Sequence, residues 1–377
     1  MTASKLRAAA TAILLGTAAV TMTAMAAQAA TVSPRVGAAL KEAQSLAAAG
    51  NYKAAMGKIN EADAVPGKTA DDTTVINQMR NFVAVKSGDT STAAGAKAKF
   101  ANDYNAGKWR DVIGGADTLR KFNALGMQEQ LIIAQAYFKS GDFAGCTRYI
   151  KANLNNSSDT ALELLARCSY ENGDEATQRQ SLETLVSRSG KPEHWKSVLR
   201  LAERSRGLSD SNSLDVNRLR MMTGNINTKD EYLLLAQLAL QLGNAAEAQT
   251  VTEKGIAAKV LTDDRSTRLL NLAKSQAAAN AANLQKNIAA AQAQPTGDAL
   301  LKIGEDLVSQ GKAKEGLPLI QAALKKPVKD AANGQIRLGH ALLASGDKAG
   351  AQKVFNAVKT PEKDAMIAHL WSLAARR

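Results

Sequence analysis

Large, small and polar residues fall in a frame that repeats along the chain. In five places a large side chain and then a small one stand eight and seven residues before a glycine: Ile133-Ala134, Leu165-Ala166, Leu235-Ala236, Ile303-Gly304 and Leu338-Gly339. Five residues after the glycine a small residue returns in most units, as Ala55, Ala93, Cys146, Ala248, Gly316 and Ala351. Gly107, Gly141, Gly173, Gly207 and Gly243 are 34, 32, 34 and 36 residues apart; Gly311 follows after 68 and Gly346 after 35 more. Gly50 and Gly88, 38 apart, lie upstream and out of phase. The residue after the glycine is often a turn former, as in Asn51, Asp89, Asp142, Asp174, Asn244 and Asp347. The frame predicts pairs of antiparallel helices joined by tight turns, with glycine supplying the positive φ that a Cβ penalises. Two helices approach closely where both offer small side chains, and the large neighbours fill the remaining space.

The composition agrees. Ala, Leu and Lys are the most numerous residues, and there are only 7 prolines and 4% aromatic residues, a palette that favours helices over strands. Pro66, Pro327 and Pro361 close units where a helix must stop. The units at Gly88, Gly107 and Gly207 are degenerate, with Arg80, Lys99 and Arg200 where a core residue is expected. Between about Asp263 and Gln294 no glycine or proline interrupts the pattern. Leu270, Ala273, Ala277, Ala281, Leu284, Ile288 and Ala291 keep three-four spacing there and predict one long amphipathic helix. The expected organisation is therefore a leader at 1–29, helical repeats at 30–262, the long helix and linker at 263–297, and further repeats at 298–377. A helix from about Pro361 to Arg376 caps the last unit, and a seam is expected within 263–297.

A period near 34 residues with these features resembles the tetratricopeptide repeat family. The resemblance implies an all-α, right-handed superhelical solenoid of antiparallel helical hairpins. More narrowly, the stretches Glu61–Pro66, His194-Trp195, Leu214–Leu219 and Asp230–Leu238 resemble exported proteobacterial members of that family. Those proteins are sometimes described as accessory to the TonB energy-transducing system. The family lines a concave groove with particular first-helix positions. Here they correspond to Leu131, Gln135, Phe138, Lys139, Arg167, Tyr170, Leu233, Gln237, Leu240, Gln241, Arg337 and His340. Apolar anchors, amides and cations in that mixture suit an extended peptide or a helix. What the resemblance implies is a scaffold that binds a protein or peptide partner.

The N-terminus places that scaffold. Lys5 and Arg7 precede the apolar run Ala8–Val20, and Ala27-Gln28-Ala29 offers a small-x-small cleavage pattern, the layout of a secretory signal peptide. A periplasmic location follows as an expectation, with a partner in the cell envelope and no membrane span after processing. The net charge is +13, of which Lys5 and Arg7 contribute two, leaving +11. Its cations are scattered among acids rather than clustered, which argues against nucleic acid and leaves cell-wall glycan or another polyanion as the alternative ligand.

Catalytic chemistry is not expected. His194, His340 and His369 have no metal-ligand spacing, and no nucleophile elbow or phosphate-binding glycine loop occurs. No cofactor is implied. Cys146 and Cys168 sit about ten and eleven residues either side of the turn at Asn156-Ser157, at similar height on neighbouring helices. They read either as a disulfide or as two thiols filling small-residue slots.

Overall fold

A computed structural model of the chain describes residues 32–155, 157–205 and 207–376. The leader at 1–29 lies outside the described residues. Among the described residues every regular element is an α-helix, and there are twenty. Two compact units divide at Asp174–Glu175. The expected seam within 263–297 is therefore not where the chain divides; that segment lies inside the second unit.

Unit 1 holds α1 (Pro34–Ala48), α2 (Tyr52–Asp63), α3 (Ala70–Ser87), α4 (Ala93–Asn105), α5 (Trp109–Lys121), α6 (Met127–Lys139), α7 (Phe143–Asn153) and α8 (Asp159–Glu171). Each helix packs on the next. All nine glycines of the repeat frame take positive φ, from +70° at Gly107 to +91° at Gly346. The turn former that follows does more than turn the chain. Asp142 accepts from the Gly145 amide at 2.7 Å and Asp347 from the Gly350 amide at 2.8 Å, each capping the second helix of its hairpin. The phase change upstream also has a structural cause. Gly88 joins α3 to α4 and Gly107 then joins α4 to α5, so α4 serves two turns.

Cys146 on α7 and Cys168 on α8 form a disulfide, with sulfurs 1.97 Å and Cα atoms 6.0 Å apart. It lies among Leu131, Ala134, Ile150, Leu164 and Leu165. A crosslink across a sequence separation of 22 contributes about 3 kcal/mol in the loop-entropy account.

Unit 2 holds α9 (Glu175–Ser189), α10 (Pro192–Glu203), α11 (Asp210–Met222), α12 (Lys229–Gln241), α13 (Ala245–Ala257), α14 (Asp264–Ala282), α15 (Leu284–Ala293), α16 (Asp298–Ser309), α17 (Ala313–Ala323), α18 (Ala331–Ala344), α19 (Lys348–Ala357) and α20 (Glu362–Ala375). The single long helix expected at 263–294 is two helices meeting at Asn283. Its side chain donates to the Ala279 carbonyl at 3.0 Å and its backbone leaves the helix at ψ +9°, a local bond that competes with helix continuation. The inward stripe is nearly the expected one: Ala273 and Ala291 are buried and Leu270, Ala277, Leu284 and Ile288 half-buried, while Ala281 faces solvent.

The last helix does more than cap. Its residues Ile367, Ala368, Leu370, Trp371, Leu373 and Ala374 are all buried, so it is apolar around most of its circumference and needs cover on several sides. It packs on α18 and α19 and also on α9 and α11. Asn212 donates to Asp364 at 2.8 Å, Lys363 to the Gly207 carbonyl at 2.8 Å, and His369 Nε2 lies 3.1 Å from Glu183. Unit 2 thus closes its last helix onto its first ones.

Small residues set the hairpin spacing. A Cβ on Gly316 of α17 would fall 2.5 Å from the Gly304 carbonyl oxygen of α16, and one on Gly304 would fall 2.9 Å from that of Gly316. Backbone cannot yield there as a flexible side chain could. Gly316→Ala is expected to destabilise the chain by about 1–3 kcal/mol, read as a lowered unfolding midpoint, whereas Gly57→Ala, which meets nothing within 4 Å, lowers it little or raises it.

Candidate functional site

In unit 1 the structure gathers one group of the groove positions. Phe138 and Lys139 end α6 and Arg167 and Tyr170 end α8, and the two helices pack on one another. The Arg167 guanidinium carbon stands 4.7 Å from the Phe138 ring centroid, and Phe143 lies 5.4 Å from the same ring. Tyr170 is 51% exposed, and Lys139 and Arg167 are exposed. Gln135, half-buried, accepts from the Tyr104 hydroxyl at 2.9 Å. The cluster offers aromatic surface, a stacked guanidinium and an amide on one face, the residue types that dominate binding energy at protein interfaces.

Three groove positions are not on a surface. Leu131 is buried in the unit 1 core beside the disulfide, and Leu233 in the unit 2 core with Leu235 and Val251. Both are large apolar side chains at positions a neighbouring helix covers. Arg337 is 3% exposed. On α12, Gln237 and Gln241 are exposed and Leu240 is half-buried, with Gln241 Nε2 donating to Asp210 at 2.8 Å.

Arg337 belongs to a buried charge network that four helices of unit 2 build. Its Nη1 donates to both oxygens of Asp215 on α11, at 2.6 and 2.7 Å, and its Nε pairs with Glu305 Oε1 of α16 at 2.5 Å. Arg218, one turn along α11, reaches Asp215 at 3.2 Å, Glu305 Oε1 at 2.8 Å and both oxygens of Glu247 on α13, at 2.8 and 2.5 Å. Asp215 is fully buried. Burial opposes the charged form of Arg218, but Glu247, Glu305 and Asp215 outweigh it and hold its pKa well above the ordinary value. Burial likewise pushes Glu305 up, yet Arg337 and Arg218 hold its carboxyl below the usual range.

Beside the network lies a cavity of about 300 Å³, bordered by Met222, Val308, Leu343 and Trp371 together with Arg218, Glu247, Glu305, Arg337 and His340. His340 follows Arg337 by one turn of α18. Gly339 makes room for the ring of Phe355, which a Cβ would meet at 2.3 Å, and His340, Phe355 and Trp371 pack together with centroids 4.0–6.2 Å apart. His340 Nδ1 is 3.9 Å from Asp215 Oδ1, beyond a hydrogen bond. Its Nε2 and Trp371 Nε1 are buried without a hydrogen-bond partner among the described residues. Burial, then Arg337 and Arg218, push the His340 pKa well below its ordinary value.

Among solved structures, a chain from the crystal structure of the APC/C hetero-tetramer Cut9-Hcn1 is similar at 12% identity. The match covers 91% of this chain and 76% of that one, with a TM-score of 0.23, too loose to support an inference. No protein-family model matches the chain, and no curated protein matches it.

The depressed pKa of His340 gives a signed expectation. The unfolded chain binds this proton below about pH 6.5 while the folded chain does not, so stability falls as pH drops below that value. The slope reaches about 1.4 kcal/mol per pH unit until the folded pKa is reached. The charged groups around it are Asp215, Arg218, Glu305 and Arg337, of which Glu305, with its depressed pKa, adds its own loss only at lower pH. Denaturant unfolding between pH 7 and 5 is expected to show the slope in the native chain and to lose it in His340→Gln; an unchanged slope in the variant contradicts the assignment.

Proposed function

We propose that the chain is an exported scaffold that holds a protein or peptide partner in the cell envelope. Its finer setting is a periplasmic adaptor of a TonB-type complex. The fold supports the coarse reading, because stacked hairpins present first-helix faces as extended binding surfaces. The observation that carries it is the aromatic and arginine cluster at Phe138, Arg167 and Tyr170. Export rests on the sequence of residues 1–29, and the TonB setting on the family resemblance. Among the described residues no helix is long and apolar enough to cross a membrane.

The second reading, a polyanion binder, has one observation in its favour. Residues 32–174 carry 17 basic and 15 acidic side chains, and residues 175–377 carry 29 and 20, so nearly all of the excess charge lies in unit 2. Salt separates the two readings, since affinity for a polyanion falls steeply as ionic strength rises.

Photocrosslinkers placed at Phe138 and at Tyr170 in living cells are expected to trap the same envelope protein. Arg167→Ala should weaken that complex by roughly tenfold or more, about 1.4 kcal/mol, with little dependence on salt. Capture of nothing from both positions sinks the scaffold reading. Capture of glycan with a steep salt dependence replaces it by the polyanion reading.

A further inference from the structure

The charge network in unit 2 does not balance. Asp215, Glu247 and Glu305 supply three carboxylates and Arg218 and Arg337 two guanidinium groups, within one connected set of ion pairs. His340, the other titratable group that lines the cavity, is held neutral by burial and the two arginines. One negative charge is therefore left over in a place where unpaired charge is unfavourable. Its location can be read from the bonds. Both oxygens of Glu247 are taken by Arg218 and both oxygens of Asp215 by Arg337. Arg218 and Arg337 share Glu305 Oε1, which leaves Oε2 as the oxygen that accepts no hydrogen bond from either arginine.

Glu305 borders the cavity, and so do the apolar side chains of Met222, Val308 and Leu343 and the indole of Trp371. An oxygen carrying unbalanced charge, an aromatic face and aliphatic walls are what a long, flexible organic cation requires. Among the described residues no three acids, histidines or cysteines converge as metal ligands. The pairs of Arg337 engage Nη1 and Nε, so Nη2 is left to donate to a carbonyl of the same incoming residue. An anionic ligand would meet the surplus carboxylate instead of relief from it.

We propose that this cavity receives a single arginine or lysine side chain of the partner, its charged head on Glu305 Oε2 and its stem against Trp371, Met222 and Leu343. This deepens the scaffold reading by assigning the chemistry of one anchor residue. It is also a second contact, on other elements than the cluster at Phe138, Arg167 and Tyr170.

The test needs no partner. The processed full chain is titrated calorimetrically with N-acetyl-arginine amide, N-acetyl-lysine amide and the neutral isostere N-acetyl-citrulline amide, at matched sodium chloride. One saturable site is expected for at least one cationic amide, with the citrulline amide weaker by about tenfold or more. Glu305→Gln, which removes the surplus charge, should abolish it. So should Ala344→Trp, a substitution at an exposed position on the cavity rim, which keeps the proposal testable if Glu305→Gln fails to fold. Equal binding of the citrulline amide, no binding of either cation, displacement by sodium alone, or an Ala344→Trp variant that binds as before would each overturn the proposal. Because crosslinking at Phe138 and Tyr170 does not involve this cavity, the scaffold reading and the anchor can fail separately.

Discussion

Two distant helices of unit 2 meet at one buried ion pair, where Arg337 of α18 donates both of its Nη1 bonds to Asp215 of α11, 122 residues earlier in the chain. A charge pair with one partner fully buried and the other 3% exposed is stabilising only as a pair, since either partner alone would be an ion stripped of water. The pair therefore acts less as glue than as a condition: α11 and α18 must meet in one register, or Asp215 keeps only Arg218 and Arg337 only Glu305. The features around it follow from that register. Arg218 is brought to Glu247 and Glu305, His340 is pressed between Trp371 and the two guanidinium groups, and α20 is fixed against α11 through Asn212 and Asp364. The surplus carboxylate at the cavity is the residue of the same arrangement.

The hairpins were legible in the sequence because their cause is local. Each glycine of the frame sits at a backbone conformation that excludes a Cβ, and the Asn or Asp after it often caps the next helix, so turn and cap leave a signature within a few residues. The irregular places were not legible for the converse reason. Asn283 ends α14 by a side-chain bond that many asparagines inside helices do not make. Gly88 and Gly107, 19 residues apart, leave room for one helix, α4, with a glycine turn at each end, which a frame of two-helix units does not accommodate. The division at Asp174–Glu175 falls at an ordinary member of the glycine series, whereas the segment that looks unusual, 263–297, is packed against α13 and α16. The last helix reads as a cap from its position, and only the density of apolar residues from Ile367 to Ala375, interrupted by His369 and Ser372, hints that it must be covered on several sides.

The candidate site divides in the same way. Phe138, Arg167 and Tyr170 could be placed because the repeat assigns them to one face of successive first helices. Leu131 and Leu233 stand at equivalent positions yet belong to the core, since helical spacing gives the direction of a side chain and not whether another helix covers it. Arg337 was singled out for a surface and lies at the centre of unit 2. Asp215, Glu247 and Glu305, which decide its role, are separated from it by 122, 90 and 32 positions, and no pattern in one sequence ties them together. The one available signal was local: Asp215 and Arg218 interrupt the apolar run Leu214, Val216 and Leu219 of α11, where ions are out of place unless they meet each other inside.

The most direct test of this account is a double-mutant cycle on Asp215→Asn and Arg337→Met, read by denaturant unfolding of the full chain. Each single substitution removes the doubly bonded partner, leaving Arg337 with Glu305 only or Asp215 with Arg218 only, and is expected to lower stability by about 2–3 kcal/mol. The double variant should be less damaged than the sum, with a coupling energy of about 2–3 kcal/mol. Additive losses, or single variants that cost less than about 1 kcal/mol, would show that the pair does not hold unit 2 in register.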